Sequence, residues 1–123
     1  SDYGGYMSNY KKVSLQNDPR IELHDKLGLT GAEISVNNLP MGASVPFVHS
    51  HKENEEVYIV FDGNGKAVID GETVFLTKGD CLRISPKAKR QFFALDDSDF
   101  SYLCIQVKEN SLSEYTATDA IIE

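Results

Sequence analysis

Nowhere along this chain do apolar residues hold a 3.6-residue period long enough for a major helix; they alternate instead in short runs broken every six to ten positions by turn residues. Such runs, rich in β-branched and aromatic residues, cover 11–15, 30–37, 45–51, 55–61, 66–69, 73–76, 81–84, 91–95 and 100–107. Asp62-Gly63 and Asp70-Gly71 separate neighbouring runs and predict hairpin turns, because these residues tolerate the positive φ that two-residue turns demand. The best helix candidate is the tail, 112–122, yet Ser113 and Thr116 make no proper capping box and its threonines lower helix propensity. Many short strands joined by tight turns predict an all-β sandwich or barrel.

A chain of 123 residues is enough for one such domain; it buries about 65% of its unfolded surface and needs no disulfide or structural metal to hold a core. Residues 1–10, with three tyrosines, two glycines and no periodicity, read as a flexible leader in which Met7 is a candidate native start. The single β domain then runs over 11–123. The longest unbroken apolar stretch, 57–61, has five residues, far short of a membrane span, and no charged-then-apolar leader stands at the N-terminus. Twelve Lys and Arg against nineteen Asp and Glu give a net charge of −7. That balance repels polyanions, so neither nucleic acid nor an anionic membrane surface is an expected partner. Cys81 and Cys104 show no C-x-x-C or zinc-finger spacing. Two free thiols in a cytoplasmic protein is the expectation, with a secreted protein carrying one disulfide as the alternative.

The chemistry concentrates in the middle of the chain, at His49-Ser-His51-Lys-Glu-Asn-Glu55-Glu56-Val-Tyr58. On a strand, residues i and i+2 face the same side roughly 6.6–6.8 Å apart, so His49 and His51 can share one ion. Glu56 begins the next run after a polar break, and an antiparallel return would bring its carboxylate to the same face. A lone histidine would be read as a surface or satisfied core residue. Two of the chain's three histidines on one strand face, beside paired glutamates, point to a metal site. Two imidazoles and a carboxylate suit Fe(II), Mn(II), Co(II), Ni(II) or Zn(II). The third histidine, His24, stands apart and reads as a surface residue, or else as a distal ligand.

The segment resembles the first motif of the cupins: a glycine, five residues, His-x-His, three or four residues, Glu, six residues, Gly. His49-x-His51, four residues, Glu56, six residues and Gly63 follow that pattern, with Gly42 one residue early. The pattern's spacing selects Glu56 over Glu55. The second motif, a glycine, five residues, Pro-x-Gly, two residues, His, three residues, Asn, begins at Gly79, with Ser85 at its proline and Pro86 one residue late. It is degraded beyond them, with Lys87 at the glycine, Arg90 at the histidine and Ala94 at the asparagine. The resemblance covers residues 29–107. It implies a double-stranded β-helix, the jelly-roll barrel, and a homodimer. It also implies metal-dependent chemistry at Fe, Mn, Ni or Zn: dioxygenation, isomerisation, decarboxylation or lyase reactions on a small molecule.

The departures reshape the expectation. Arginine stays protonated and offers no lone pair, so Arg90 cannot replace an imidazole, which leaves His49, His51 and Glu56 as metal ligands. Three readings stay open for Arg90: a bidentate clamp for an anionic substrate, a structural ion pair with Glu56 in a metal-free barrel, or a solvent-facing side chain. Lys87 and Lys89 add local positive charge, or simply belong to a solvated loop. Alternation places Tyr58 on the interior face with Glu56, and Phe92 with Arg90. Tyr102, Cys104 and Gln106 share one face of the last run and Leu103, Ile105 and Val107 the other, the phase being open. Arg90, Tyr58 and Tyr102 are the candidate catalytic residues, the tyrosines as proton shuttles. The alternative function is a non-catalytic small-ligand-binding barrel with weak or absent metal. Val57, Ile59 and Phe61 present an apolar outward face suited to a partner sheet.

Overall fold

The structure, a computed structural model, describes residues 8–123; most of the expected leader, 1–7, lies outside the described residues. Among the described residues, seven strands and one short helix follow in the order β1 (Arg20–Glu22), α1 (Leu23–Leu27), β2 (Glu33–Leu39), β3 (Asn54–Ile69), β4 (Glu72–Thr77), β5 (Cys81–Ile84), β6 (Arg90–Ala94) and β7 (Phe100–Lys108). All pairings are antiparallel. One sheet runs β1-β2-β7-β3-β5 and the other β4-β3-β6, so the 16-residue β3 belongs to both. This is the all-β jelly-roll architecture.

A one-residue bulge explains how β3 serves two sheets. Its register slips between Val60 and Asp62. Before the slip Glu56, Tyr58 and Val60 are buried, and after it Gly65 and Ala67. The extra residue switches the inward set from even to odd positions and bends the strand across the barrel corner. Asp62-Gly63 therefore does not form the expected hairpin; the ladder to Ser101 and Phe100 runs straight through it. Gly63 is needed there for another reason. Its φ is +76°, and a Cβ would lie 1.7 Å from the Asp99 carbonyl oxygen, so only glycine admits the approach. Asp70-Gly71 does turn the chain, with both residues at positive φ between the paired Ile69 and Glu72.

The run expected over 45–51 is not a regular strand. Pro46 interrupts it, and its backbone reaches β6 at separate points: Val45 N–H to Phe92 O, and a reciprocal pair between His49 and Arg90, both at 3.0 Å. Residues 11–15 carry no regular structure, and β1 takes the edge beside β2 instead. The tail 112–122 forms turns and no helix; Leu112, Tyr115, Ile121 and Ile122 stay exposed, so no buried stripe holds it.

Between the sheets, Tyr58, Phe92, Phe100 and Tyr102 form a continuous aromatic cluster, with Tyr58 and Phe92 stacked at 4.1 Å and Phe92 and Tyr102 at 5.2 Å. Each such pair contributes about 0.5–1.5 kcal/mol beyond the area it buries. Val60, Ala67, Leu76 and Ile84 close the core around it. The cluster fills one part of the barrel and forms the wall of a cavity in the rest.

Candidate metal centre

The cavity has a volume of about 460 Å³, within the 300–1,000 Å³ range of small-molecule sites. Glu56 stands at its wall, 1% exposed, because β3 alternation turns it inward with Tyr58. His49 and His51 arrive from the irregular segment after Pro46, with rings 5.1 Å apart and nearly perpendicular. His51 Nε2 lies 3.0 Å from Glu56 Oε2 and His49 Nε2 4.0 Å from Oε1. One donor atom from each of the three falls within 4.8 Å of the others.

These residues fit a divalent cation. Donors bound to one ion at about 2.1 Å with angles near 90–110° stand about 3.0–3.4 Å apart, which the His51–Glu56 spacing meets and the His49–Glu56 spacing slightly exceeds. The donor set, two imidazoles and one carboxylate on one side, leaves open positions toward the cavity. The His49 Nδ1 is buried without a hydrogen-bond partner among the described residues. Burial, the largest influence, holds the His49 pKa below its ordinary 6.5; the Glu56 carboxylate opposes the shift, and Arg90 and His51 add to it. The ring is thereby kept in the neutral form that metal ligation requires.

Both oxygens of Glu56 are held. The Tyr58 hydroxyl donates to Oε1 at 2.6 Å, and the Cys104 thiol to Oε2 at 3.3 Å. Arg90 Nη1 lies 3.3 Å from Oε1, an ion pair between side chains 0% and 2% exposed. The contact lacks hydrogen-bond alignment, and Arg90 Nη2 instead donates to the Ser85 carbonyl at 2.6 Å. Burial, reinforced by the neighbouring Cys104 and Glu56, pushes the Tyr58 phenol well above its usual pKa. Burial and the Glu56 charge push the Cys104 thiol up to about 12. Both side chains remain protonated donors to the carboxylate.

The sequence-predicted residues divide. His49, His51, Glu56, Tyr58, Tyr102, Cys104 and Gln106 all line the cavity. The phase of β7 is thus Tyr102, Cys104 and Gln106 inward, with Leu103, Ile105 and Val107 outward. Arg90 is fully buried behind Glu56 and does not border the cavity, so it is neither solvent-facing nor placed to touch a molecule there. Its backbone pairs with His49, and its guanidinium turns to the Ser85 carbonyl with Nη1 against Glu56, away from the cavity. His24 sits on α1, half exposed and bonded to Asp25 at 2.9 Å, away from the cavity. Lys87 and Lys89 are exposed. Both cysteines are free, Cys81 exposed and Cys104 buried.

Sequence reasoning missed Arg20, Ser35, Asn37 and Gln91, which also line the cavity. Ser35 and Asn37 alternate with Ile34 and Val36, and simple alternation would turn the apolar pair inward. In the structure the polar pair faces the cavity, and Val36 packs on the other side of the sheet beside Ile21, its register partner.

Comparison with known proteins agrees with this geometry. The family model described as "Cupin domain" matches residues 36–106. A crystal structure of a cupin protein from Bacteroides fragilis is 56% identical, covers 95% of this chain and 99% of its own, and superposes with a TM-score of 0.92. A sugar phosphate isomerase of the cupin superfamily from Silicibacter pomeroyi shares the fold at TM-score 0.65 and 24% identity, over 73% of this chain and 60% of its own. An uncharacterized protein of Methanocaldococcus jannaschii is 29% identical over 66 residues, which are 54% of this chain and about half, 52%, of that relative.

Proposed function

The chain belongs to the cupin family, and on that premise we propose that it is a metal-dependent enzyme acting on a small anionic molecule held in the barrel cavity. His49, His51 and Glu56 hold one divalent cation of the Fe, Mn, Ni or Zn class. The observation that carries this reading is their convergence: three ligand atoms within 4.8 Å at the wall of a cavity of about 460 Å³. Such an ion supplies Lewis acidity and open coordination positions to the reaction.

The chain's own residues have separable tasks in this reading. Tyr58 and Cys104 fix the two oxygens of Glu56 by hydrogen bonds, as outer partners of metal ligands do. Arg90 acts as a positioning residue through Glu56. Its charge also repels a cation, so affinity is lower than a fourth imidazole would give. Tyr102, which burial and Cys104 push to a raised pKa, stays protonated and presents its phenol to the cavity as a hydrogen-bond donor. The aromatic wall of Phe92 and Tyr102 excludes water from the ligand's body.

Elemental analysis of gently purified protein tests the reading. About one equivalent of a divalent metal per chain, lost in His49→Ala, is the expected result. A second reading, a binding cupin without metal, is favoured by the Arg90–Glu56 ion pair at 3.3 Å; it gains if no metal is found and His49→Ala changes nothing.

Two further assignments belong to the same proposal. The exposed, unpaired Cys81 supports a cytoplasmic setting, which fractionation checks. The partly exposed Val57, Ile59, Leu103 and Ile105 on the outer sheet face support a homodimer. Light scattering should give twice the 13.7 kDa chain mass, and the chain mass alone refutes the dimer.

A further inference from the structure

We propose that Arg20 is the residue that reads the acid group of the cavity's ligand, and that the ligand class is a small monocarboxylate with an apolar or aromatic body. This rests on the reading of the cavity as a small-molecule site and deepens it. Arg20 is the only lysine or arginine lining the cavity among the described residues. The chain carries a net charge of −7, so a lone arginine at the open side of the cavity selects for anions there against the average field of the protein.

The placement is built by β1. Arg20 pairs with Asn37, and Asn37 with Tyr102, so the three form one cross-strand row. Arg20 Nη1 donates to Asn37 Oδ1 at 2.9 Å, and Asn37 Nδ2 in turn donates to the buried Ser35 hydroxyl at 3.0 Å. This chain orients the guanidinium while using one of its five N–H donors. Glu22 places a carboxylate beside it, 3.9 Å from Arg20 Nε. Both side chains of that pair are more than half exposed, so water screens the attraction and leaves Arg20 able to take a competing carboxylate.

The Arg20 row and the three-ligand cluster stand at different levels of β7 in the same cavity, and the guanidinium charge still reaches His49. Glu56 pairs with Gln106, and the Arg20 row meets β7 at Tyr102, four positions away. At 3.3–3.4 Å per residue the two rows are about 13 Å apart along the strand. Glu56 already has Arg90 as its counter-charge, whereas Arg20 has, among the described residues, the screened Glu22. The cavity is also lined by Leu39, Val45, Phe47, Phe92 and Tyr102, which accept an apolar body. A ligand matching this cavity therefore carries its acid group at the Arg20 end, and its reacting atoms toward His49, His51 and Glu56.

The test compares butanoate, benzoate and phenylacetate with their primary amides, binding being measured by ligand-observed NMR on the intact chain. The wild type should prefer at least one acid over its amide by about tenfold or more, the scale of a charge-assisted hydrogen-bond pair. Arg20→Gln should abolish that preference, and it removes no metal ligand. Arg20→Lys should retain part of it, since charge survives and the planar fork does not. A preference that survives in Arg20→Gln, or binding of no acid by the wild type, overturns the assignment. The outcomes are separable from those of the metalloenzyme reading. An Arg20-dependent acid preference in a chain that takes up no metal supports Arg20 and removes the metal; metal uptake without the preference does the reverse.

Discussion

Replacing Arg90 by methionine removes a cation that is 0% exposed from beside a carboxylate that is 2% exposed. Breaking a buried pair by deleting one partner costs about 3–5 kcal/mol, because the remaining charge is left without its counter-charge. Tyr58, Cys104 and His51 still contact Glu56, which places the expected loss near the lower end, about 3 kcal/mol. A domain of this kind has about 5–15 kcal/mol in total, so the variant folds but is clearly weakened. With a urea m-value of about 2 kcal/mol per molar, the unfolding midpoint of metal-free protein falls by about 1.5 M. A divalent cation reverses the effect: it supplies the missing positive charge and no longer meets the repulsion of a guanidinium beside Glu56. Arg90→Met should therefore bind Co(II) or Zn(II) more tightly than the wild type, and saturating metal should narrow the stability gap. Urea titration with and without metal reads both. A loss below about 1 kcal/mol in the metal-free variant, or weaker metal binding by it, refutes the ion-pair reasoning.

Three further outcomes follow from the same geometry. A thiol reagent at pH 8 should modify the exposed Cys81 rapidly and reach Cys104, whose pKa is pushed up to about 12, only after denaturation. Two rapidly reacting thiols in the native protein would contradict its burial. Because burial lowers the His49 pKa below 6.5, the unfolded chain takes up a proton there before the folded one does. That contribution to stability is full above pH 6.5 and is lost as the pH falls toward the lowered value. Urea midpoints of the metal-free protein should fall from pH 7.5 to 5.5, less steeply in His49→Gln; equal slopes would argue against it. Gly63→Ala should destabilise by about 3 kcal/mol, since the added Cβ meets the Asp99 carbonyl and the residue must keep a positive φ. An unchanged melting temperature would show that the β3–β7 corner relaxes freely.

The strands that alternate cleanly were legible in the sequence. The run 81–84 coincides with β5, and the runs near β4, β6 and β7 differ from them by a residue or so at each end. Where the reading failed, a tertiary demand overrode a local signal. Asp62-Gly63 carries turn residues, but β7 continues to pair across it and Asp99 uses the space that glycine leaves. The segment 45–51 alternates, yet Pro46 lacks the N–H a continuous ladder needs. The convergence of His49, His51 and Glu56 was legible because the three lie close in sequence. Arg20 was not: a three-residue edge strand leaves no periodic trace, and its place over the cavity depends on pairing with β2, which is remote in the chain. The burial of Arg90 against Glu56 was one of three open orientations, and only the paired backbones of His49 and Arg90 decide among them.

Titrating metal-free protein with Co(II), followed by its visible ligand-field absorption, addresses the three-ligand site itself. Saturation at one equivalent per chain in the wild type, with the band abolished in His49→Ala, His51→Ala and Glu56→Gln, is what the convergence of these side chains predicts. A stoichiometric band that persists in all three variants, or none in the wild type, would contradict it.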